Sequence, residues 1–523
     1  MPSDQAGRTP AAAPCYMIGL GGVGLSGLAR LAHARGTPVS GTDTTASDIT
    51  RSLATLGIDV HIGSPPARLP DGTGAVIASA AIKPEHPLLL DAQSRGIPVQ
   101  TYAEALGASM RAMTGVAIAG THGKSTTSAM LSACLIEAGL DPTVIVGAAC
   151  PHLTDELGNA TGFRLGSTTT PAGTHAGQPG LLIAEACEYN RSFHNLRPRV
   201  ASIANVEADH LDIYGSVDAV IDAFREFASL LPPATARDAE GGVLLIGHDT
   251  AHRRDVTRGL ACRVETIGFN PAADWHVSLD PGTRRVTIEH RGRQAAEFTS
   301  PMPGEHSAIN AATAFALADL LGADPEPSVR ALAGFRGVRR RLERLDDRPV
   351  PGGTVRVYDD YGHHPTEVEM TLRAIRTHEQ LGPVDENSAG PDTHLAPDVM
   401  PDPSRRLICV FQPHQHSRTR FFLDEFASAF EQADIVIVPH IYFVRDSEAE
   451  KQRVAASDLV DRLRTRGVRA MHVYPFEAIV EQVESIARPG DVLLVMGAGP
   501  VWQVAHGFVG RAAAEHMPLG VSV

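Results

Sequence analysis

The stretch GTHGKSTT, Gly120–Thr127, decides the fold, because it lies between an apolar run and a helical pattern. The run VAIA (Val116–Ala119) predicts a buried strand, and Ser125–Ala138 predicts a helix. A glycine-rich turn in this position gathers backbone N–H groups that bind phosphate oxygens. In such a loop Lys124 would meet the β- and γ-phosphates, and Ser125 would ligate Mg²⁺. The sequence therefore predicts a nucleoside triphosphate site.

This loop is shorter than the standard phosphate loop, because Ile118 stands six residues before the lysine where glycine is usual. The alternative is a glycine turn with an incidental lysine. Lysine is scarce here, however: of 46 Lys+Arg residues only Lys83, Lys124 and Lys451 are lysines. Because lysine is rare in this chain, a lysine within the glycine-rich turn favours a phosphate-binding loop.

A second glycine-rich turn, GLGGVGLSG at Gly19–Gly27, follows a predicted strand (Cys15–Leu20) and opens a predicted helix (Val23–Ala34). Gly19 would permit the tight turn, and Gly21 would let a pyrophosphate approach the backbone. This context predicts a nucleotide diphosphate site for NAD(P) or a UDP-sugar. Asp43 ends the next strand, where it would hold a ribose hydroxyl. The alternative is a turn that needs glycine for packing only.

Carboxylates and a histidine follow two further predicted strands. Glu185 and Glu188 come after Leu181–Ile183, and Asp209-His210 comes after Val200–Ile203. Strand C-termini are where a Mg²⁺–phosphate complex needs oxygen ligands. Taken singly, Glu185 is equally explained as a helix cap and His210 as a loop histidine bonded to backbone.

Three more polar clusters stand at element boundaries. His306 and Asn310 share one helix face and would meet an adenine edge, although simple capping by Ser307 explains the same residues equally well. Two predicted strand ends, DDYGHHP (359–365) and FQPHQHSRTR (411–420), suggest a cleft for an anionic or zwitterionic substrate, with ordinary polar loops as the alternative.

Strands alternating with helix-length segments predict an α/β fold with parallel sheets. We expect a disordered tail at 1–14 and three domains at 15–112, 113–333 and 334–523. The segments 151–180 and about 380–404, rich in Pro, Gly, Thr or Asp, are expected to be mobile surface loops.

Composition excludes several classes of protein. The chain has 523 residues and a net charge of −14, which argues against nucleic-acid binding. Neither a bilayer-length apolar run nor a signal peptide is evident, so we expect a cytoplasmic protein without membrane contact. Six dispersed cysteines form neither a disulfide framework nor a zinc motif.

The order of these motifs resembles that of the ATP-dependent Mur ligases of peptidoglycan synthesis over about residues 15–510. The matching stretches are GTHGKST, EACEYNRSF, NVEADHLDIYG, PGEHSAIN, FRGVRRRLE, DDYGHHPTE and FQPHQHSRT. The resemblance implies a Rossmann-like N-terminal domain for a UDP-sugar, a central P-loop ATPase domain and a Rossmann-like C-terminal domain. It therefore favours a UDP-sugar over a nicotinamide cofactor at the first glycine turn.

The resemblance also implies a reaction and roles for residues. The lactyl carboxylate of UDP-N-acetylmuramate would attack ATP to give an acyl phosphate, which the amine of an amino acid then attacks. Catalysis is assigned to Lys124, Glu185 and His210, and Mg²⁺ binding to Ser125, Glu185 and His210. ATP and phosphate binding is assigned to Gly120, Thr121, His122, Gly123, Lys124, Ser125, Thr126, Asn205, His306, Asn310 and Arg341, with Arg340 beside the hinge. UDP-sugar binding is assigned to Gly19, Gly21, Gly22, Gly24, Asp43 and Ser79. Substrate contacts from the C-terminal domain are assigned to Asp360, His363, His414 and Arg418.

Within the family, ligases that add later amino acids usually carry a lysine after the position of Tyr214, and here 215–232 contains none. This favours the branch that adds L-alanine, with a tripeptide-recycling ligase or a non-catalytic UDP-sugar-binding homologue as alternatives. A monomer or homodimer is expected. Three positions depart from the family pattern: Cys187, Asn190 and Pro500.

Overall fold

The computed structural model describes residues 13–235, 241–384 and 404–510. Three sheets follow one another along the chain, which confirms the expected three-domain α/β architecture. The expected tail at 1–14 lies outside the described residues except for its last two positions, and so does most of the segment at 380–404. Among the described residues, no helix has both the length and the apolar character to cross a membrane.

The first sheet has five parallel strands in the order β3-β2-β1-β4-β5. Its strands are β1 (Cys15–Ile18), β2 (Val39–Asp43), β3 (Asp59–Ile62), β4 (Ala75–Ala78) and β5 (Val99–Thr101). Its helices are α1 (Val23–Ala34), α2 (Asp48–Thr55), α3 (Pro87–Ser94) and α4 (Tyr102–Arg111). The crossover from β1 through α1 to β2 places the first glycine turn at the C-terminal end of β1, as the motif predicts.

The central sheet has ten strands in the order β15-β14-β13-β12-β11-β10-β6-β9-β7-β8. The strands are β6 (Thr114–Ala119), β7 (Thr143–Thr154), β8 (Ala160–Arg164), β9 (Leu181–Glu185), β10 (Val200–Ile203), β11 (Val243–Gly247), β12 (Arg263–Gly268), β13 (Trp275–Asp280), β14 (Arg285–His290) and β15 (Arg293–Thr299). The helices are α5 (Lys124–Glu137), a 3₁₀ helix (Tyr189–Asn195), α6 (Leu211–Tyr214), α7 (Val217–Ala228), α8 (Arg253–Thr257), α9 (Glu305–Leu320) and α10 (Pro325–Ala333). Strand β6 is central and buried throughout, which is why its sequence is an unbroken apolar run.

The interpretation of 151–180 as a mobile loop was wrong for its first half. Residues up to Thr154 continue β7, and β8 pairs with it antiparallel. A Cβ on Gly162 would lie 2.2 Å from the carbonyl oxygen of Val146 and 2.8 Å from Val23 of the first domain. Glycine is therefore present because the hairpin packs closely against α1, a contact that composition does not reveal.

The third sheet has seven strands, with β16-β18-β22-β19-β20-β21 in order and β17 beside β18. The strands are β16 (Glu343–Arg344), β17 (Arg348–Val350), β18 (Gly353–Asp360), β19 (Leu407–Phe411), β20 (Ile435–Val438), β21 (Ala470–His472) and β22 (Val492–Met496). The helices are α11 (Pro365–His378), α12 (His416–Phe421), α13 (Leu423–Ala429), α14 (Glu448–Lys451), α15 (Ala456–Thr465), α16 (Phe476–Ile486) and α17 (Trp502–Val509). Five of its strands, β18, β22, β19, β20 and β21, run parallel. Strands β19, β20 and β22 are buried throughout and carry no polar or charged side chain other than Cys409.

A buried arginine joins the first domain to the β7–β8 hairpin. Arg30 on α1 is 4% exposed, donates to Ser52 Oγ at 2.8 Å, and forms an ion pair with Glu156 in the turn of the hairpin. Glu156 also accepts from Ser52 Oγ at 2.8 Å. A buried guanidinium needs such partners, because its desolvation is otherwise uncompensated.

We predict that Arg30→Met lowers the free energy of unfolding by about 1–3 kcal/mol, because Ser52 loses its buried donor and the two domains lose their ion pair. Urea denaturation measures this as a lower midpoint. The matched control is Arg51→Met, whose partner Asp48 is on the same exposed helix face and whose loss should change stability by less than about 0.5 kcal/mol. Equal midpoints for the two variants would contradict the role given to Arg30.

Candidate active site

The phosphate loop is anchored by the segment that follows β10. The backbone N–H of His122 donates to Asn205 Oδ1 at 2.8 Å, and the N–H of Thr121 donates to the carbonyl of Asn205 at 3.1 Å. The N–H of Glu207 donates to Thr121 Oγ1 at 3.0 Å. The loop is thus held from one side, and its conformation depends on the parallel pairing of β6 with β10.

Lys124 lies inside the loop with its ammonium group turned towards carboxylate and carbonyl oxygens. Its Nζ donates to the carbonyl oxygens of Gly120 at 2.6 Å and Thr121 at 3.1 Å, and to Glu188 Oε1 at 3.0 Å. Burial alone would lower the pKa of Lys124, but the adjacent Glu188 carboxylate outweighs it and raises the pKa above its usual value. The lysine is therefore a fixed positive charge at the loop.

Glu188, Asp209 and His210 form a compact group of oxygen and imidazole donors beside Lys124. One ligand atom from each lies within 4.8 Å of the others. His210 Nε2 is 3.8 Å from Glu188 Oε1 and 3.6 Å from Asp209 Oδ2. Burial lowers the pKa of His210 despite both carboxylates, so its imidazole is neutral at neutral pH and can ligate a metal.

Glu185 lies outside this group. Its Oε1 accepts from the backbone N–H of Gly147 at 2.6 Å, on the β7 side of β9. Ser125 is buried at the start of α5 and lines the neighbouring cleft. The structure therefore brings His210 together with Glu188 and not with Glu185, and the metal-binding role of Glu185 stays a prediction.

Arg418 on α12 brings the third domain into this site. Its Nη2 and Nε donate to Asp209 Oδ1 at 2.7 and 3.1 Å, and both side chains are nearly fully buried. Burial would raise the pKa of Asp209, but Arg418 holds it well below its usual value. This is a charge-assisted pair in a dry environment, where such contacts are strongest.

A cleft between the central and third domains lies next to the phosphate loop. Seven residues assigned to ATP or phosphate line it from the central domain, namely His122, Gly123, Ser125, Thr126, Asn205, His306 and Asn310. Arg341 and Asp360 line it from the side of the third domain, together with residues of α11 such as Glu367. The structure therefore brings most of the sequence-predicted nucleotide residues to one cavity.

Asn310 and His306 lie on one face of α9, as their spacing predicts. Asn310 Oδ1 accepts from Thr127 Oγ1 at 3.2 Å and packs against the loop glycine Gly123. Burial lowers the pKa of His306 to about 4, so this ring is neutral and able to exchange hydrogen bonds with a base. The adenine contact itself stays a prediction.

The four C-terminal residues assigned to substrate have different surroundings. Asp360 accepts from the backbone N–H groups of Leu342 and Gly362, both at 2.6 Å, so it holds the interdomain linker. His414 Nδ1 lies 3.2 Å from Arg418 Nη1, and the rings of His363 and His414 are 5.7 Å apart. Burial lowers the pKa of His363 to about 3. Three of the four thus lie together beside Asp209.

A carboxylate at the end of β2 binds the backbone of the first glycine turn. The N–H of Gly21 donates to Asp43 Oδ2 at 2.7 Å, and a Cβ on Gly24 would lie 2.8 Å from Tyr102. Gly19 has φ +91°, and a Cβ at this position would lie 3.0 Å from the Cβ of Ser79. Gly22 precedes α1 as its N-cap residue. The close approach of Tyr102 thus accounts for glycine at position 24. The UDP-sugar roles assigned to Asp43, Ser79 and the glycines of this turn stay predictions.

Two carboxylates near the loop carry no sequence-based assignment. His122 Nδ1 is 3.1 Å from Glu367 Oε1 on α11, and its Nε2 is 3.4 Å from Glu207 Oε2. Burial would lower the pKa of His122, but Glu367 and Glu207 raise it to about 10. Glu367 ends the motif DDYGHHPTE, and Glu207 lies within NVEADHLD, so each carboxylate belongs to a motif that the sequence analysis identified. No local pattern in the sequence indicates that both contact His122.

Of the departures from the family pattern, Cys187 is the best defined. Burial and the neighbouring Glu188 raise the pKa of its thiol to about 12. The thiol is therefore protonated at neutral pH and is neither a metal ligand in that form nor a nucleophile.

We predict that Gly123→Ala weakens ATP binding at least about tenfold, because its φ of +86° disfavours a side chain and the new Cβ would lie 2.5 Å from Asn310 Oδ1. Isothermal titration with ATP measures the change. The control is Gly139→Ala, with φ +75° and open space around it, which should lose stability but keep its ATP affinity. Unchanged binding by Gly123→Ala would show that the loop does not contact the nucleotide.

Comparison with family models divides the chain into three matches. The Mur ligase family catalytic domain matches residues 14–114, the Mur ligase middle domain 118–318, and the Mur ligase glutamate ligase domain 396–499. Together they follow the order of the three sheets.

Relatives match over nearly the whole length. The UDP-N-acetylmuramate–L-alanine ligase of Sorangium cellulosum is 36% identical over 96% of this chain and 97% of its own. That of Kineococcus radiotolerans is 39% identical over 94% of each. Among solved structures, the UDP-N-acetylmuramate–alanine ligase of Thermotoga maritima has the same fold, with a TM-score of 0.70, 23% identity and coverage of 96% of this chain and 100% of that one. On this whole-length similarity, the chain belongs to the Mur ligase family.

Proposed function

We propose that this protein joins L-alanine to the lactyl carboxylate of UDP-N-acetylmuramate with hydrolysis of ATP, in the synthesis of peptidoglycan precursors. The observation that carries the proposal is the whole-length similarity to relatives named for that reaction. The geometry agrees with it, because a buried lysine in a phosphate loop lies beside a cleft that two domains close. The Mur ligase family is ATP-dependent, so ATP is the co-substrate.

Each of the three domains has a separate role in the proposed reaction. We assign residues 15–112 to the UDP-sugar, 113–333 to ATP, and 334–523 to the amino acid and to closure. Gly19, Gly21, Gly22, Gly24, Asp43 and Ser79 would form the UDP-sugar site. A monomer or homodimer in the cytoplasm fits this role, and the substrates are small molecules.

The reaction proceeds in two transfers. A carboxylate oxygen of UDP-N-acetylmuramate attacks the γ-phosphorus of ATP, and the bond from this phosphorus to the bridging oxygen of the β-phosphate breaks. The products of this step are ADP and an acyl phosphate. The neutral amine of alanine then attacks the acyl carbon, inorganic phosphate leaves, and the amine loses a proton. The protein forms no covalent bond in either step, so its contribution is positioning and charge stabilisation.

Lys124 supplies the positive charge for the first transfer. Its ammonium is held within the loop by the Gly120 and Thr121 carbonyls and by Glu188. His122 and Gly123 of the same loop line the neighbouring cleft. A preorganised donor of this kind contributes about 100- to 1,000-fold to rate.

The residues present fit Mg²⁺, which would neutralise phosphate charge when bound. The donors are the hydroxyl of Ser125, the imidazole of His210 and carboxylates of Glu188 and Asp209, the last three within 4.8 Å of one another. Glu185, the last residue of β9, is a further carboxylate ligand in the family-based assignment. Glu188 Oε2 is 2.9 Å from Lys124 Nζ, so a bound cation would share this buried carboxylate with the lysine.

We predict that phosphate release from ATP requires both UDP-N-acetylmuramate and L-alanine, and that Lys124→Ala lowers its rate about 100-fold or more. Glycine, L-serine and the recycling tripeptide serve as alternative acceptors in the same assay. Lys451→Ala, an exposed lysine beside Glu448, is the control and should retain full activity. Turnover with tripeptide alone would assign the protein to recycling, and bound UDP-sugar without turnover would make it a non-catalytic homologue.

We also predict that Arg418→Ala lowers kcat/KM about 30-fold or more, because Asp209 is left as a buried carboxylate without its partner and the third domain loses its charge contact. Steady-state kinetics with each substrate varied measures this. Arg420→Ala removes an exposed arginine of the same helix that pairs with Glu450, and its activity should be unchanged. Equal kinetics for both variants would exclude a role for the buried pair.

A further inference from the structure

A second group of metal-ligand side chains lies where the central and third domains meet. His122 belongs to the phosphate loop, Glu207 to the segment after β10, and His364 is the N-cap residue of α11. One ligand atom from each lies within 4.8 Å of the others, and all three side chains are buried or half-buried. The group is separate from Glu188, Asp209 and His210, and the proposed reaction does not use it as a metal site.

The distances suit a small tetrahedral ion. Glu207 Oε2 is 3.4 Å from His122 Nε2 and 3.9 Å from His364 Nδ1. For metal–ligand bonds of about 2.0–2.1 Å, tetrahedral geometry separates ligand atoms by about 3.3 Å. The Glu207–His122 distance already matches this value, whereas the Glu207–His364 distance exceeds it by about 0.6 Å. The ligand atoms of His122 and His364 lie within 4.8 Å of each other, and side-chain rotation would bring them to ligand spacing.

In each ring the nitrogen that faces Glu207 differs from the nitrogen that another group holds: His122 directs Nε2 and His364 directs Nδ1 at Glu207. His122 Nδ1 lies against Glu367 Oε1 at 3.1 Å, an arrangement of carboxylate, imidazole and metal that is common around zinc. His364 Nε2 donates to the carbonyl of Ala208 at 3.2 Å, which leaves Nδ1 as the acceptor. Among the described residues, that nitrogen accepts only the long 3.3 Å bond from the N–H of Thr366.

The charge and the burial of these side chains also favour a bound cation. Glu207 and Glu367 carry two negative charges next to His122, whose Nε2 is buried and makes no hydrogen bond. Arg341 Nη1 lies 3.9 Å from Glu367 Oε1 and offsets part of this charge. A divalent ion in place of the proton on His122 would add one further positive charge beside the two carboxylates. Thr366 Oγ1 donates to Glu207 Oε2 at 2.7 Å and orients that carboxylate towards the group.

We propose that His122, Glu207 and His364 form a binding site for a divalent ion of the zinc type, which ties the phosphate loop to α11. Two imidazoles and one carboxylate prefer Zn²⁺, Co²⁺ or Ni²⁺ to Mg²⁺, which favours oxygen ligands. The fourth position faces the cleft that His122 and Glu207 line, where water or a ligand oxygen completes the shell. Binding replaces the proton on His122 Nε2 and releases it to solvent.

The test is isothermal titration of the full-length protein with ZnCl₂ in excess Mg²⁺, without nucleotide or UDP-sugar, so that it does not depend on the proposed function. We expect wild-type protein to bind one ion more tightly than His364→Asn or Glu207→Gln, by about 10- to 100-fold. About one proton per ion should be released, as measured in buffers of different ionisation heat. Zn²⁺ should also raise the unfolding temperature of wild-type protein but not of either variant, because the ion joins two domains.

Two matched variants locate the ion. His210→Asn changes the other candidate group, and His472→Asn changes a surface pair in which His472 Nε2 lies 3.1 Å from His440 Nδ1. Both should keep the tight site. Loss of binding in either of these variants, with His364→Asn and Glu207→Gln unaffected, would overturn the proposal. Asparagine keeps a capping acceptor at position 364, and Glu207→Gln keeps an amide oxygen that can accept from Thr366 Oγ1, so a folding defect in one variant does not obscure the other.

Discussion

The parallel pairing of β6 with β9 and β10 is the constraint on which the site depends. Because these strands run side by side, with Ile118 opposite Glu185 and Ala119 opposite Ile203, the segments that follow them emerge at one edge of the sheet. The phosphate loop follows β6, the EACE segment follows β9, and the NVEADH segment follows β10. Lys124, Glu188 and Asn205 meet there although they are far apart in sequence. A change of register in any of these strands would separate the lysine from its carboxylate.

Electrostatics couple this edge to the third domain. Arg418 neutralises Asp209, and Glu367 faces His122, so each domain carries charges whose partners are on the other. These groups are buried, and an unpaired buried charge is costly, so the contact between the domains is favoured as a complete set of pairs. The metal group of His122, Glu207 and His364 lies within the same contact. Charge pairing, more than apolar area, therefore distinguishes this interface from the cores of the three domains.

Sequence reasoning predicted the parts with strong local signals. The strands before each motif, the helices α1, α5 and α9, and the three-domain order follow from apolar periodicity and glycine turns. It did not find β12–β15, where alternation is interrupted by charged residues such as Arg285 and Arg293, and it took the β7–β8 hairpin for a loop because threonine and glycine are common in both. It also left Glu207 and Glu367 without roles, since each is one carboxylate among many until the fold brings both to His122.

The sequence by itself determined which chemistry is present: a lysine-bearing phosphate loop, carboxylates and histidines after parallel strands, and a motif order typical of the Mur ligases. Spacing and residue type carry this information because strand–loop–helix units are local. Only the tertiary structure decided which of those groups act together. It placed Glu188 in contact with Lys124, joined Asp360 to the backbone of Leu342 and of Gly362, and set Arg418 against Asp209. These contacts join residues up to 209 positions apart, and their geometry depends on sheet register and on how the domains pack.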